Sequence, residues 1–509
     1  MSSTPDAGDV SFSPRTGGQF GVVAHTDPAT VDEILQRAVM AAAELAATAP
    51  TVRQAWLTAV SDALLEHQDE LALLCDEETG LGLPRLRGEI TGAARNIRFY
   101  ARVAVDGSYL NASSDVVSES ITLARWNVPI GPIAVFGASN FPFGFGVFGH
   151  DVASALAAGC PVIAKAHPAH PRLSVRLSMV ARSALLAAGA PEGAYDLVSG
   201  FDAGLQVVDD PAIAAVAFTG SQRGGMALLA RAADRGVPVF AEMGTVNPVF
   251  VTAAAAAAET DAIAAGFVAS FTLGAGQFCT KPGLIFAPAG SGMFDAVADL
   301  VAEAAPAPLL TAEIAASFAV GVAEIAASAE STAQSVIPVE DGYSVRPQVF
   351  RVALAELVPG SRFVEECFGP VALVCEYDDA ATALAVLASL PGSLAASVFT
   401  GGPTDPEAQP VVARLLSKVG RVALNAWPTG VVTTWSQQHG GPWPATSRPG
   451  TTSVGAGALD RFVRPVALQN ATPGILPVFL SADNPWRIPR RIDGALDIPV
   501  SFPDSKDIS

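Results

Sequence analysis

From residue 131 onward the chain alternates short uncharged runs with longer segments whose apolar positions recur every three to four residues. GPIAVFG, CPVIAKA, YDLVSG, IAAVAFTG and VPVFAEMG are runs of the first kind. Each is too short for a helix and is bounded by Gly, Pro or Asn-like breakers, which predicts buried strands. Between them, stretches near 145–158, 173–188, 201–209 and 221–234 carry the helical period. This alternation predicts a parallel sheet covered by helices, with ligands beyond the carboxyl ends of the strands. A second series begins near Asn247 and includes GLIFAP, VALVCEYD, LAASVFTG and RVALNAWP. Ahead of both, helices are expected over roughly 30–47 and 50–75.

The fold class expected is therefore α/β with two parallel-sheet domains. One takes residues 21–105 and 124–246, the other 247–465. Residues 1–20, rich in Ser, Gly, Pro and Asp, read as a loose arm. Segments 106–123 and 466–509 interrupt or follow the two series and read as arms that pack on another subunit.

Composition narrows the function classes. The 509 residues are 50% hydrophobic and 16% charged, which describes a folded chain and not a disordered one. The uncharged run from Trp126 to Gly149 is broken by Pro129, Pro132, Pro142 and several glycines, so buried strands explain it better than a membrane span. The amino end lacks a basic start and an apolar core, so a cytoplasmic address is expected. A formal charge of −19 argues against a nucleic-acid partner. Five cysteines, an odd number, suit a reducing compartment and direct attention to single reactive thiols.

Several motifs can carry chemistry. GFGVFG satisfies GxGxxG at Gly144, Gly146 and Gly149, but residues 166–191 hold no Asp or Glu to grip a ribose, so close packing of a helix start explains these glycines better. FTGSQRGG places Gly220 and Ser221 between a strand and a helix, where backbone amides can receive a pyrophosphate; an ordinary turn has the same look. GQFCTKPG sets Cys279 in a polar turn, open to a nucleophile's role or to that of an inert thiol. AEMG ends a buried run with Glu242, where burial is expected to raise the carboxyl toward a general base's range; a loop-holding carboxylate is the alternative. Asn140, in ASNFP, sits where its amide can meet an oxyanion or simply form a turn. His167 and His170 form HxxH, but prolines and the lack of further ligands speak against zinc, and no metal is expected.

Taken in order, SNFPF, PVIAKAHPAHP, FTGS, AEMG, GAGQFCT and EECFGPV resemble the aldehyde dehydrogenase superfamily from about residue 25 to about 465. The resemblance implies a dinucleotide-binding domain followed by a catalytic domain, with oligomerisation arms and a homodimer or homotetramer. It implies Cys279 as nucleophile, Glu242 as the base for deacylation, and Asn140 with the Cys279 amide as the oxyanion hole. Lys165 and Glu366 fall at ribose positions, Phe368 near the nicotinamide ribose, and Gly220 and Ser221 at the pyrophosphate turn.

Departures from the commonest members include Ser139 before Asn140 and Gly244-Thr245-Val246 after Glu242. MGTVNPVF, FCTKPGLIF, NAWPTGV and HGGPWPATS look like the NADP-preferring branch that contains 2,5-dioxopentanoate (α-ketoglutarate semialdehyde) dehydrogenases and a fatty aldehyde dehydrogenase. NADP is expected over NAD because Pro168 stands where NAD users often carry a glutamate, leaving Lys165, His167 and Arg223 to meet a 2′-phosphate. An acidic substrate would need a cation, for which Arg95, Arg98 and Lys281 are the candidates, surface ion pairing being the alternative. Two other classes stay open: a cysteine acyltransferase or thioesterase, and a catalytically silent binding homologue.

Overall fold

The computed structural model describes residues 8–339 and 341–499. Five short apolar runs form the first sheet: β1 (Ile133–Phe136), β2 (Val162–Lys165), β3 (Tyr195–Val198), β4 (Ala215–Gly220) and β5 (Val239–Met243). They are parallel, in the order β3-β2-β1-β4-β5. The order reverses between β1 and β4, and that switch point opens a crevice beyond their carboxyl ends. Lys165 pairs with Phe136 in register, and Glu242 with Thr219, so the candidate residues emerge on one edge of the sheet.

The second sheet holds β6 (Pro248–Val251), β7 (Leu284–Pro288), β8 (Ser331–Gln334), β9 (Gln348–Arg351), β10 (Val371–Tyr377), β11 (Ser393–Phe399) and β12 (Val419–Leu424). Its order is β8-β9-β10-β7-β6-β11-β12, parallel except for the antiparallel edge strand β8. The edge pair β8 and β9 has no counterpart among the sequence-predicted strands, because Ser331–Gln334 is polar and largely exposed. Both sheets are buried on two faces, which explains runs such as ALVC and AASVF that lack alternation.

The helix Ala253–Thr272 continues from the alanine run. By length and composition Ala253–Gly276 could cross a membrane; here Ile263, Phe267 and Phe271 pack with Val249 and Ile285 of the second sheet. Burial of each such side chain is worth about 1.5–3 kcal/mol.

A third, five-stranded sheet unites Ala112–Ser118, Ile121–Pro129, Val463–Gln469, Arg490–Ile492 and Ala495–Asp497. Trp126 therefore belongs to a partly exposed strand outside the buried sheets. The amino-terminal arm is not loose throughout: Gly8–Phe12 pairs antiparallel with Gln19–Ala24, the turn between them using Pro14 and Gly17 at a positive φ of 71°. Residues 1–7 of that arm and 500–509 of the expected tail lie outside the described residues.

Candidate active site

A cavity of about 1360 Å³ runs from the amino-terminal hairpin along the carboxyl ends of the first sheet to Cys279. All ten residues assigned to catalysis and cofactor binding line it: Asn140, Lys165, His167, Gly220, Ser221, Arg223, Glu242, Cys279, Glu366 and Phe368.

The pyrophosphate turn is built by β4 and the helix Gln222–Ala233. Ser221 is its N-cap, accepting from the Gly224 amide at 3.2 Å. The Phe218 ring lies directly beneath, and a β-carbon at Gly220 or Gly224 would come within 2.7 and 2.8 Å of it. The glycines thus bring the helix start close over the ring, at the cavity wall that Ser221, Arg223 and Gly224 line, where a helix N-terminus can receive a phosphate. GFGVFG serves its own loop: a β-carbon on Gly146 would meet the Pro142 carbonyl at 1.9 Å, and Glu89 receives the Phe143 and Gly144 amides at 2.9 and 3.0 Å.

At the ribose end, His167 Nδ1 accepts from the Ala169 amide at 3.1 Å. That fixes the proton on Nε2 and leaves it a donor. Burial, with His170 and Lys165 nearby, keeps the ring neutral, its pKa well below the ordinary value. Lys165 has its pKa lowered by burial against the opposing charge of Asp9. Asp9, missed by sequence reasoning, enters the cavity wall from the hairpin and pairs with His25 at 3.1 Å. Arg223 is exposed on the same wall. Glu366 presses against the backbone of Gly244, where a β-carbon would overlap its Oε2, and burial pushes its carboxyl up to about 7.

The nucleophile loop follows a strained turn in which Gly274, Ala275 and Gly276 all have positive φ. Gly276 is required there, since a β-carbon would come within 2.2 Å of the Gly369 carbonyl. Asn247, at φ 53°, pins the loop: its Nδ2 donates to the carbonyls of Thr245, Cys279 and Lys281 at 3.2, 2.7 and 3.0 Å. Asn140 Nδ2 donates to Gln277 at 2.8 Å, which occupies one of its two N–H groups and leaves the other for a ligand.

Cys279 meets a residue to which sequence reasoning gave no role. His439 Nε2 lies 3.6 Å from Cys279 Sγ, in hydrogen-bonding alignment, and 2.9 Å from Glu242 Oε1. The latter contact lies off the N–H direction, so Oε1 has no aligned hydrogen bond. Ser453 donates to the other oxygen, Oε2. Glu242 and His439 are both buried. Burial opposes the charge on each, but their mutual attraction wins, raising His439 to about 10 and holding Glu242 below the ordinary carboxyl value. This reverses the expected direction for Glu242: desolvation is present, but a buried imidazolium outweighs it.

The three substrate cations are placed elsewhere. Lys281 is buried, and its Nζ donates to the carbonyls of Cys367, Gly369 and Val371 at 2.8, 3.0 and 2.9 Å; it clamps the nucleophile loop to the Glu366–Phe368 loop. Arg95 and Arg98 lie outside the cavity wall, since the helix Leu83–Asp106 buries Ile90, Ala94 and Ile97 on its other face. Arg98 bonds Ser61 and Asp62, and Arg95 is exposed. Two other arginines approach the nucleophile. Arg85 donates to the Asn140 carbonyl at 2.7 Å, stands over the Phe141 and Phe278 rings, and keeps Nη1 buried without a hydrogen-bond partner among the described residues. Arg421 donates to Pro428 and Gly430, and the Gly430 amide in turn donates to Thr280, the residue after Cys279, at 3.1 Å.

Comparison with known proteins identifies the family and the fold. A family model described as "Aldehyde dehydrogenase family" matches residues 4–442. Alpha-ketoglutaric semialdehyde dehydrogenase 2 of Azospirillum brasilense is 41% identical over 498 residues, 93% of each chain. The alpha-ketoglutaric semialdehyde dehydrogenase of Acinetobacter baylyi is 36% identical over 484 residues, 92% of this chain and 91% of its own. Among solved structures, 1-pyrroline-5-carboxylate dehydrogenase from Thermus with bound NAD superposes with a TM-score of 0.79 at 22% identity, covering 91% of this chain and 90% of that one. At that identity the likeness speaks for the fold.

Proposed function

The chain belongs to the aldehyde dehydrogenase family, and within it we propose that it oxidises 2,5-dioxopentanoate to 2-oxoglutarate with NADP preferred over NAD. The observation that carries the chemical part is the contiguous set Cys279, His439 and Glu242 at the end of a dinucleotide-sized cavity.

The cavity suits the cofactor: Gly220, Ser221 and Gly224 of the strand-to-helix turn line it, and His167 offers a donor beside Lys165. A bound nicotinamide supplies the acceptor for the hydride that leaves the substrate carbon. Everything else falls to side chains of this chain. Cys279 passes its thiol proton by way of Glu242 to solvent in the cavity as Sγ adds to the aldehyde carbon, and the alkoxide that develops is received by the Cys279 amide and the second N–H of Asn140. Once the thioester has formed, water must attack it. Glu242 takes the water's proton, while His439, on the sulfur side, returns a proton to Sγ as the carbon–sulfur bond breaks. Proton transfer from Glu242 to His439 then restores the ion pair, and the product acid ionises into solvent. One buried pair thereby acts as base toward water and as acid toward sulfur.

For NADP, support comes from Lys165, the His167 donor and the exposed Arg223 on one wall, with Asp9 engaged by His25. For the keto acid, support comes from the two named relatives and from Arg85 and Arg421, cations packed behind the cavity wall beside the nucleophile loop in a chain of strongly negative charge. The same reading takes the protein as a cytoplasmic homodimer or homotetramer.

The test is a panel of aldehydes, including 2,5-dioxopentanoate, succinic semialdehyde, glycolaldehyde and long-chain alkanals, assayed with NAD and NADP in parallel. The keto acid should give the highest kcat/KM, and Arg85→Gln or Arg421→Gln should raise its KM far more than that of a neutral aldehyde. Neutral alkanals outperforming the keto acid would overturn the substrate. Thioester turnover without any nicotinamide reduction would favour an acyltransferase.

A further inference from the structure

We propose that Cys279, His439 and Glu242 form a reversible site for a single zinc-type divalent cation, and that its occupation switches the enzyme off. Sequence reasoning expected no metal because its one candidate, the HxxH of His167 and His170, is interrupted by prolines and lacks further ligands; Glu242 and His439 stand 197 positions apart and match no local ligand spacing. The fold brings them together.

The donor set is chemically that of zinc: one thiolate sulfur, one imidazole nitrogen and one carboxylate oxygen. Their three ligand atoms all lie within 4.8 Å of one another. A tetrahedral zinc with metal–sulfur and metal–nitrogen bonds of about 2.3 and 2.0 Å separates those two ligands by about 3.5 Å. The Sγ to Nε2 distance here is 3.6 Å. The nitrogen–oxygen edge of such a tetrahedron is about 3.3 Å, so the present 2.9 Å contact opens slightly. Rotation of the partly exposed Cys279 side chain closes the remaining edge.

Two further observations point the same way. Glu242 Oε1 is buried with no aligned hydrogen bond, so a lone pair facing Nε2 and Sγ is unspent. Cys279 and Glu242 both line the cavity, which leaves the fourth metal position open to water. Charge also balances: a dication bound by thiolate and carboxylate leaves a neutral buried unit, and binding releases the thiol proton and the imidazolium proton to solvent. A cysteine and a glutamate alone would offer two ligands; His439 adds the third. A metal-bound sulfur cannot add to an aldehyde, so the metal competes with substrate.

The experiment uses full-length protein freed of metal by chelation under reducing conditions. Zinc and, separately, cobalt(II) are titrated in while activity, bound metal and the cobalt absorption spectrum are followed. Expected is one cobalt per chain, with intense four-coordinate d–d bands and a thiolate-to-cobalt charge-transfer band. One equivalent of zinc should bleach the spectrum, stop turnover and slow iodoacetamide alkylation of Cys279, and a chelator should restore both. Cys279→Ala and His439→Gln should each weaken binding by about 100-fold or more, with dinucleotide binding checked to show that the fold is intact. A six-coordinate cobalt spectrum, zinc affinity unchanged in His439→Gln, or equal binding by Cys279→Ala would each overturn the site. Glu242→Asp, which keeps a carboxylate, should retain the charge-transfer band, and its loss there would also count against the assignment.

Discussion

Replacing His439 with Gln removes the positive half of a fully buried ion pair and leaves Glu242 with Ser453 alone. Removing one partner of a buried pair costs about 3–5 kcal/mol. For a domain of this size each kcal/mol lowers the melting temperature by roughly 2–4 °C, so the loss is on the order of 10 °C. The pH dependence has a definite sign. His439 is raised from 6.5 to about 10 by Glu242, against its own burial, so its contribution is complete below about 6.5 and fades as pH rises toward 10. Glu242 is held below its ordinary 4.5, so its share is complete above that value and fades in acid. The gap in melting temperature between wild type and variant should therefore be widest near pH 6 and should narrow toward pH 10. Thermal melts followed by circular dichroism across that range, in chelator, measure it. A gap that stays constant with pH, or a variant that melts with wild type near pH 6, would refute the buried charged pair.

Cys279→Ala should abolish both adduct and reduced cofactor, whereas Glu242→Gln should give a burst of reduced cofactor in stopped flow followed by slow turnover. Arg223→Ala should weaken NADP binding about ten-fold or more while leaving NAD little changed, since a charge-assisted hydrogen bond contributes roughly 1.5–3 kcal/mol; paired dissociation constants decide it, and equal losses would remove Arg223 from the phosphate site. Lys281→Met strands three buried carbonyls and should cost roughly 3 kcal/mol or more in denaturant unfolding, with dinucleotide affinity falling as the Glu366–Phe368 loop loosens.

Legibility in the sequence followed the range of the interactions involved. Strand runs such as GPIAVFG and VPVFAEMG declare themselves locally, and the residues at their carboxyl ends, Asn140, Lys165 and Glu242, inherit a position from them. His439 does not. It lies in HGGPWPATS, a loop without period, and its meaning comes from Cys279, 160 residues away. The only available signal was that the motif departs from the commoner family members. Glu242 was placed correctly, yet its ionisation was read backwards for the same reason: the apolar run before it advertises burial, while the partner charge is remote. Lys281 looks like a cation poised near a thiol, but nothing local reveals that three carbonyls from 367–371 enclose it. Arg95 and Arg98 failed on helix phase, since the buried stripe through Ile90, Ala94 and Ile97 turns them outward.

Asn247 holds the nucleophile loop through a single buried amide, which makes the chemical ageing of that amide a matter for the whole enzyme. An aspartate there would offer no N–H to the carbonyls of Thr245, Cys279 and Lys281. Asparagine ages by attack of the following residue's backbone nitrogen on the side-chain amide, and here that residue is Pro248, whose nitrogen carries no hydrogen. The ring closure that begins spontaneous deamidation is thereby blocked, so the anchor of the catalytic loop is protected against slow decay by the first residue of the strand that follows it.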